Sequence, residues 1–164
     1  MTEELGPPLP ALPVRDALSA VTRAPLGLLA LGMPGCAACM ILPASLAEIR
    51  RARPALIIAI GEFANPADWA LREDLLWPRG IHVSRSSVPA LALLAEGETI
   101  AGRPGGGPAA AIDAWLTAEL GPAAYPLDEG PTPGERAALD SLEARIAHQR
   151  AVKRWRDPAL GGGA

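Results

Sequence analysis

The chain has 164 residues, of which 49% are hydrophobic and 20% charged, with a formal net charge of −3. That is length enough for one domain with a real core plus peripheral segments, and the balance excludes a disordered chain. So small an acidic charge argues against a domain devoted to nucleic acid or an anionic membrane surface. Aromatic residues are only 4% of the chain, so the core must be built from Leu, Ile, Val and Ala. Glu3 and Glu4 stand where a secretory signal needs basic residues, and no apolar signal core follows. The longest apolar runs are too short to span a bilayer. The expectation is a soluble cytoplasmic protein, in a compartment that keeps thiols reduced. Its two cysteines, Cys36 and Cys39, form one C-x-x-C, the spacing of a working pair rather than of a structural disulfide framework.

Residues 1–13 are rich in proline and lack apolar periodicity, which predicts a flexible leader. Pro13 opens a helical pattern over 14–24, with Val14, Leu18 and Val21 on one face. Residues 26–31 are a continuous apolar run, the signature of a strand buried on both faces of a largely parallel sheet. Met33-Pro34-Gly35 breaks it, and the cysteines follow at once. The pattern from 36 to 53 is helical, ended by Pro54. Residues 55–60 predict a second buried strand stopped by Gly61, so that strand, helix and strand favour a parallel crossover.

Asn65-Pro66 is a helix start, an N-cap followed by proline at the first helical position. This helix must end by Pro78, and 81–83 predicts a short extended piece. Residues 90–94 and 99–101 predict an antiparallel pair joined by a turn at Glu96-Gly97. After the Gly105-Gly106-Gly107 loop, Pro108 starts a helix carrying Ile112, Trp115, Leu116 and Leu120, closed by Gly121-Pro122. Residues 122–133 form a Pro/Gly linker. Residues 134–157 predict a charged helix with Leu139, Leu142 and Ile146 along one face, and 158–164 a disordered tail.

This order resembles the thioredoxin family over about residues 14–121. The anchors are Cys36-Ala37-Ala38-Cys39 directly after a buried strand and Ser86-Ser87-Val88-Pro89 directly before another. The second segment resembles the family's cis-proline loop, with Gly97 and Gly105 placed as the family places its glycines. The resemblance implies an α/β fold, a central mixed sheet flanked by helices, here with an extra C-terminal helix. It implies Cys36 and Cys39 as the catalytic pair and Gly35, Val88 and Pro89 as substrate-binding residues. The chain also departs from the family. Gly35 replaces the tryptophan usual before the first cysteine, and Ala30 occupies the place of the buried acid. Ala37-Ala38 replaces Gly-Pro, Pro43 lies one residue nearer the second cysteine, and the stretch between Ile60 and Pro89 is longer.

Positions three apart share a helix face, so Cys36 and Cys39 can approach disulfide geometry without distorting the chain. At a helix N-terminus the free N–H groups and the dipole lower the Cys36 pKa and favour its thiolate. Cys36 would attack a substrate disulfide and Cys39 resolve the mixed disulfide. Without an acid at Ala30, deprotonation of Cys39 relies on water or substrate, which predicts slow resolution and dedicated partners. Pro43 removes an amide and should kink the helix.

Structural zinc would need four ligands. His82 and His148, the other soft candidates, lack ligand spacing, so no metal and no cofactor beyond the dithiol is expected. Gly102–Gly107 lacks the Gly-Lys-Ser/Thr of a phosphate loop. The expected function is a thiol–disulfide oxidoreductase acting on a limited set of protein disulfides, with an electron donor that the sequence does not specify. The alternative is a non-enzymatic thioredoxin-like chaperone or assembly factor that binds a client protein. Neither nucleic acid nor membrane is expected as a partner.

Overall fold

The computed structural model describes residues 9–127, 137, 138, 140–147 and 149. The expectations for residues 1–8, for linker residues 128–133, for residues 134–136, Leu139, His148 and 150–157 of the C-terminal helix, and for the 158–164 tail lie outside these described residues.

Five strands form one mixed sheet: β1 Ala11–Pro13, β2 Leu26–Gly32, β3 Ile57–Glu62, β4 Ala90–Ala95 and β5 Glu98–Pro104. Their order is β1-β3-β2-β4-β5. β1 and β2 both run parallel to β3, whereas β4 runs antiparallel to β2 and to β5. Among the described residues, four α-helices accompany the sheet, α1 Val14–Thr22, α2 Leu42–Ala52, α3 Pro66–Leu71 and α4 Ala109–Leu120, and residues 140–147 are helical as part of the C-terminal helix. The predicted α/β class, with a mixed sheet between helices, is what the chain adopts.

The apolar run of β2 sits at the centre of the sheet, and the twofold side-chain alternation of a strand deals its residues to two cores. Leu29 and Leu31 join Val14, Leu18 and Val21 of α1, together with Phe63 and Trp69, on one face. Leu28 and Ala30 join Leu42, Leu46 and Ile49 of α2 and Ile112 and Leu116 of α4 on the other. All four β2 residues are essentially inaccessible to solvent, which is why the strand reads as unbroken hydrophobic sequence. Removing the Leu46 side chain beyond Cβ would cost about 2–5 kcal/mol, as usual for a core leucine.

Several local expectations change. Residues 11–13 are a strand rather than part of a leader, with Ala11 opposite Ile60 and Leu12 opposite Gly61. Leu9 is buried in the α2/α4 core. Three residues are too few to show alternation, and Pro13 ends an edge strand where its missing N–H breaks no ladder. Gly61 does not stop β3 but continues it. A Cβ there would lie 3.1 Å from Leu31 Cδ2, 3.2 Å from Ala17 Cβ and 3.3 Å from Val14 Cα, so the glycine is a close-approach point for α1.

Asn65 caps α3 as predicted, its Oδ1 accepting from the Asp68 N–H at 3.0 Å. The helix then widens into a π turn over Arg72–Leu76 and tightens into a 3₁₀ turn over Trp77–Arg79. Gly80, at φ 74°, ends it. Residues 81–83 belong to no strand. Ile81 and Val83 are nonetheless buried, packing as a loop against the α1 core. Glu96 (φ 50°) and Gly97 (φ 80°) make the tight β4–β5 turn, in the left-handed pair that matches strand twist.

Candidate active site

β2 ends at Gly32, in the middle of the sheet, and delivers the chain to Met33-Pro34-Gly35. Gly35 takes φ 77° with open space around it, a conformation that costs glycine little. The turn aims Cys36 at the start of a helical segment, where it serves as the N-cap with extended backbone (φ −80°, ψ 110°). The Cys39 N–H donates to Cys36 Sγ at 3.2 Å. A backbone donor is thus pointed at the first sulfur.

Cys36 and Cys39 are joined as a disulfide, with Cα atoms 5.2 Å apart, inside the usual range for such bridges. Both residues are half-buried. The segment that holds them is a 3₁₀ turn, Ala37–Ile41, rather than the first turns of one long α-helix. Pro43 is the reason. It lacks the N–H that would bond the Cys39 carbonyl in an α-helix, and the Leu42 N–H bonds that carbonyl instead, in the 3₁₀ pattern. The expected kink takes this form.

The second predicted segment comes to the same place. Cys36 Sγ lies 4.0 Å from the Val88 carbonyl oxygen, and the Val88–Pro89 peptide bond is cis. Pro89 is buried, and its carbonyl accepts from the Gly105 N–H at 2.8 Å. The preceding Ser84–Ser87 turn is tied by its own hydroxyls. Ser87 Oγ accepts from the Ser84 N–H at 2.6 Å, and the Ser87 N–H donates to the Ser84 carbonyl at 3.0 Å. The five predicted site residues therefore converge: Gly35, Cys36 and Cys39 on one lip, and Val88 and Pro89 on the other.

Other members of the site were missed from sequence. Gly32 is one, since a Cβ there would lie 3.1 Å from Cys39 Sγ and 3.3 Å from Cys39 Cβ. Gly106 is another, because its Cβ would meet Leu42 Cδ2 at 2.7 Å and Pro89 Cγ at 3.5 Å. Neither glycine carries a local signal, since each acts through the side chain it lacks. The C-terminal helix also reaches the site: Arg145 Nη1 lies 2.8 Å from Met40 Sδ. Ala30, the position of the missing acid, is fully buried within an apolar cluster.

Among the described residues, no group of three or more His, Cys, Asp and Glu side chains is arranged to hold a metal ion. His82 is exposed, with its ring 6.0 Å from that of Trp77. No helix among these residues is long and apolar enough to cross a membrane.

With this geometry in place, the architecture is that of thioredoxin. The chain is similar in structure to thioredoxin f2 of Chlamydomonas reinhardtii, with a TM-score of 0.52 at 17% identity, over 70% of this chain and 98% of that one. It is likewise similar to spinach chloroplast thioredoxin f, with a TM-score of 0.51 at 16% identity over 72% and 99% of the two chains. A mutant thioredoxin of Halobacterium salinarum gives 0.50 at 18% identity over 72% and 95%. No family model and no curated protein sequence matches the chain. The chain therefore has a thioredoxin-like fold carrying a C-x-x-C disulfide, with a sequence far from those of its structural neighbours.

Proposed function

We propose that the protein is a cytoplasmic thiol–disulfide oxidoreductase acting on a limited set of protein partners, with Cys36 as nucleophile and Cys39 as resolver. The observation that carries this reading is the position of Cys36 Sγ, which receives the Cys39 N–H at 3.2 Å and lies 4.0 Å from the Val88 carbonyl. The N–H stabilises a thiolate. The carbonyl offers an acceptor to the backbone of an incoming extended segment, as in β-strand addition.

In the reduced protein, the Cys36 thiolate attacks one sulfur of a substrate disulfide. The substrate S–S bond breaks, a Cys36–substrate bond forms, and the other substrate sulfur leaves as a thiolate, which takes its one proton either from water or from Cys39. Cys39, losing its proton to water or to that leaving group, then attacks Cys36 Sγ. The second substrate thiol departs, and the two electrons given to the substrate leave the protein as the Cys36–Cys39 disulfide. A dithiol donor restores the reduced pair by the reverse steps. A thioredoxin f2 of the same fold has been solved in complex with ferredoxin:thioredoxin reductase, which supports a protein donor as the class to seek.

Insulin reduction with dithiothreitol as donor tests the proposal. Wild type should turn over, Cys36→Ser should be inactive, and Cys39→Ser should accumulate a mixed disulfide visible on a non-reducing gel. Activity that survives Cys36→Ser would overturn the assignment. A second reading, a client-binding factor of the same fold, draws support from apolar Ala30 beneath the pair. It predicts that the doubly substituted Cys36→Ser/Cys39→Ser chain binds its client as the wild type does.

A further inference from the structure

The C-terminal helix is the one element near the cysteines that the proposed chemistry leaves without a task. Its Leu142 and Ile146 are half-buried, whereas Asp140, Glu143 and Ala147 face solvent, so one face rests on the domain. Where it does so matters. Ser141, Ala144, Arg145 and Gln149 line an open cleft together with Gly35 and Ala37, the residues on either side of Cys36. Arg145 reaches across to Met40, the residue after Cys39.

Among the described residues that line this cleft, Arg145 is the one charged side chain. From Met33 to Leu42 the cysteine segment is uncharged. Arg145 borders it on one side, where its guanidinium meets the Met40 sulfur. Arg85, three residues before Val88, has its guanidinium 5.0 Å from the centre of the Trp69 ring. Trp69 is itself stacked on Phe63 at 4.1 Å. Neither arginine has a carboxylate partner among the described residues, and no carboxylate among them lines the cleft.

We propose that the C-terminal helix is a further wall of the substrate cleft and that Arg145 makes the site select disulfides flanked by acidic residues on an extended protein segment. This rests on the oxidoreductase reading above and names the substrate class for it. A partner strand seated on the Val88 carbonyl carries its side chains past Gly35 and Ala37. An acidic residue beside its cysteine then meets Arg145, and opposite charges across an interface fix partner and register more than they add raw affinity.

Two measurements on the full chain test the inference. In the reduced Cys39→Ser variant, Cys36 is the sole thiol, and its alkylation rates by iodoacetate and by iodoacetamide are compared. Both reagents need the same thiolate, so their ratio cancels any change in thiol ionisation and reads the local field alone. Arg145→Glu should lower the iodoacetate-to-iodoacetamide ratio about fivefold at low salt, and Arg145→Lys should hold it near wild type. In the second, wild type is offered two disulfide-linked peptides that differ only in Asp or Lys beside the cysteine. It should reduce the acidic one about fivefold faster, and Arg145→Glu should erase that preference. An unmoved alkylation ratio with equal peptide rates would overturn the wall while leaving the redox function intact. A shifted ratio with neither peptide reduced would overturn the redox function and leave the wall standing.

Discussion

Two glycines within four positions of each other in the cysteine lip make different demands. Gly32 has ordinary strand backbone, but a side chain there would press on Cys39, its Cβ lying 3.1 Å from the sulfur. Gly35 has open space around it and a φ of 77° that other residues rarely adopt. Gly32→Ala should therefore act on chemistry. The resolving sulfur must shift by a few tenths of an ångström from its line toward Cys36, and the reacting geometry of an intramolecular attack is sensitive to that displacement. Closure of a Cys36–glutathione mixed disulfide, followed by release of free glutathione, should slow about tenfold. Gly35→Ala should act on stability instead, at about 1–2 kcal/mol for forcing a Cβ into the left-handed region, read as a lower urea midpoint with closure near wild type. Closure at the wild-type rate in Gly32→Ala would show that the sulfur has slack there.

Between elements, a polar joint of three hydrogen bonds ties the end of α2 to α4. Arg53 is buried at the C-cap of α2, its Nε donating to Asp113 Oδ1 at 3.2 Å. Its Nη2 donates to Thr117 Oγ1 at 3.1 Å and to the Gly121 carbonyl at 3.0 Å. One guanidinium thus holds the side of α4 and its C-cap carbonyl, keeping both helices on the sheet face beneath the cysteines. Arg53→Met would leave the Asp113 carboxylate and two acceptors without this donor and should cost about 2–3 kcal/mol. Asp113→Asn keeps an acceptor in place and should cost under about 1 kcal/mol. Urea unfolding at unchanged slope reads both. Equal losses for the two variants would mean that charge rather than hydrogen bonding holds the joint.

The joint also explains what the sequence could and could not convey. β2, β4, α4 and the Asn65 cap were readable because each rests on local pattern: continuous apolar runs, threefold and fourfold spacing, or a capping residue with proline after it. The cysteine pair and the Val88-Pro89 segment were readable as well, and the structure brings them together. β1 was not, because a three-residue strand takes its identity from pairing with β3, a long-range event. The break between the 3₁₀ turn and α2 was foreshadowed by Pro43, though as a kink rather than a change of helix type. Gly32 and Gly106 were missed for a common reason. Their roles lie in what a missing Cβ leaves room for across the fold, and one-dimensional spacing carries no record of that.

For the molecule as a whole, the redox state of one four-residue loop is coupled to global stability. Closing so short a loop constrains the unfolded chain only modestly, by about 2 kcal/mol, so the oxidised form should be the more stable by an amount of that order. The proposed thiolate at Cys36 makes the difference depend on pH. On the proposed assignment, the Cys39 N–H that points at Cys36 Sγ in the disulfide also favours the charged sulfur once the pair is reduced. A group with a depressed folded pKa contributes stability that is fully present above the unfolded thiol range, near about 8.5, and is lost as pH falls through the folded value. The oxidised protein has no thiol to titrate, and every other ionisable group is common to both forms. The gap between them should therefore widen on acidification from about pH 8 to about pH 5 and narrow again on return. Paired urea unfolding curves of the two redox forms at those pH values measure this directly. A gap that stays constant would mean the folded protein holds Cys36 no more readily as a thiolate than the unfolded chain does, and the nucleophile assignment would lose its physical basis.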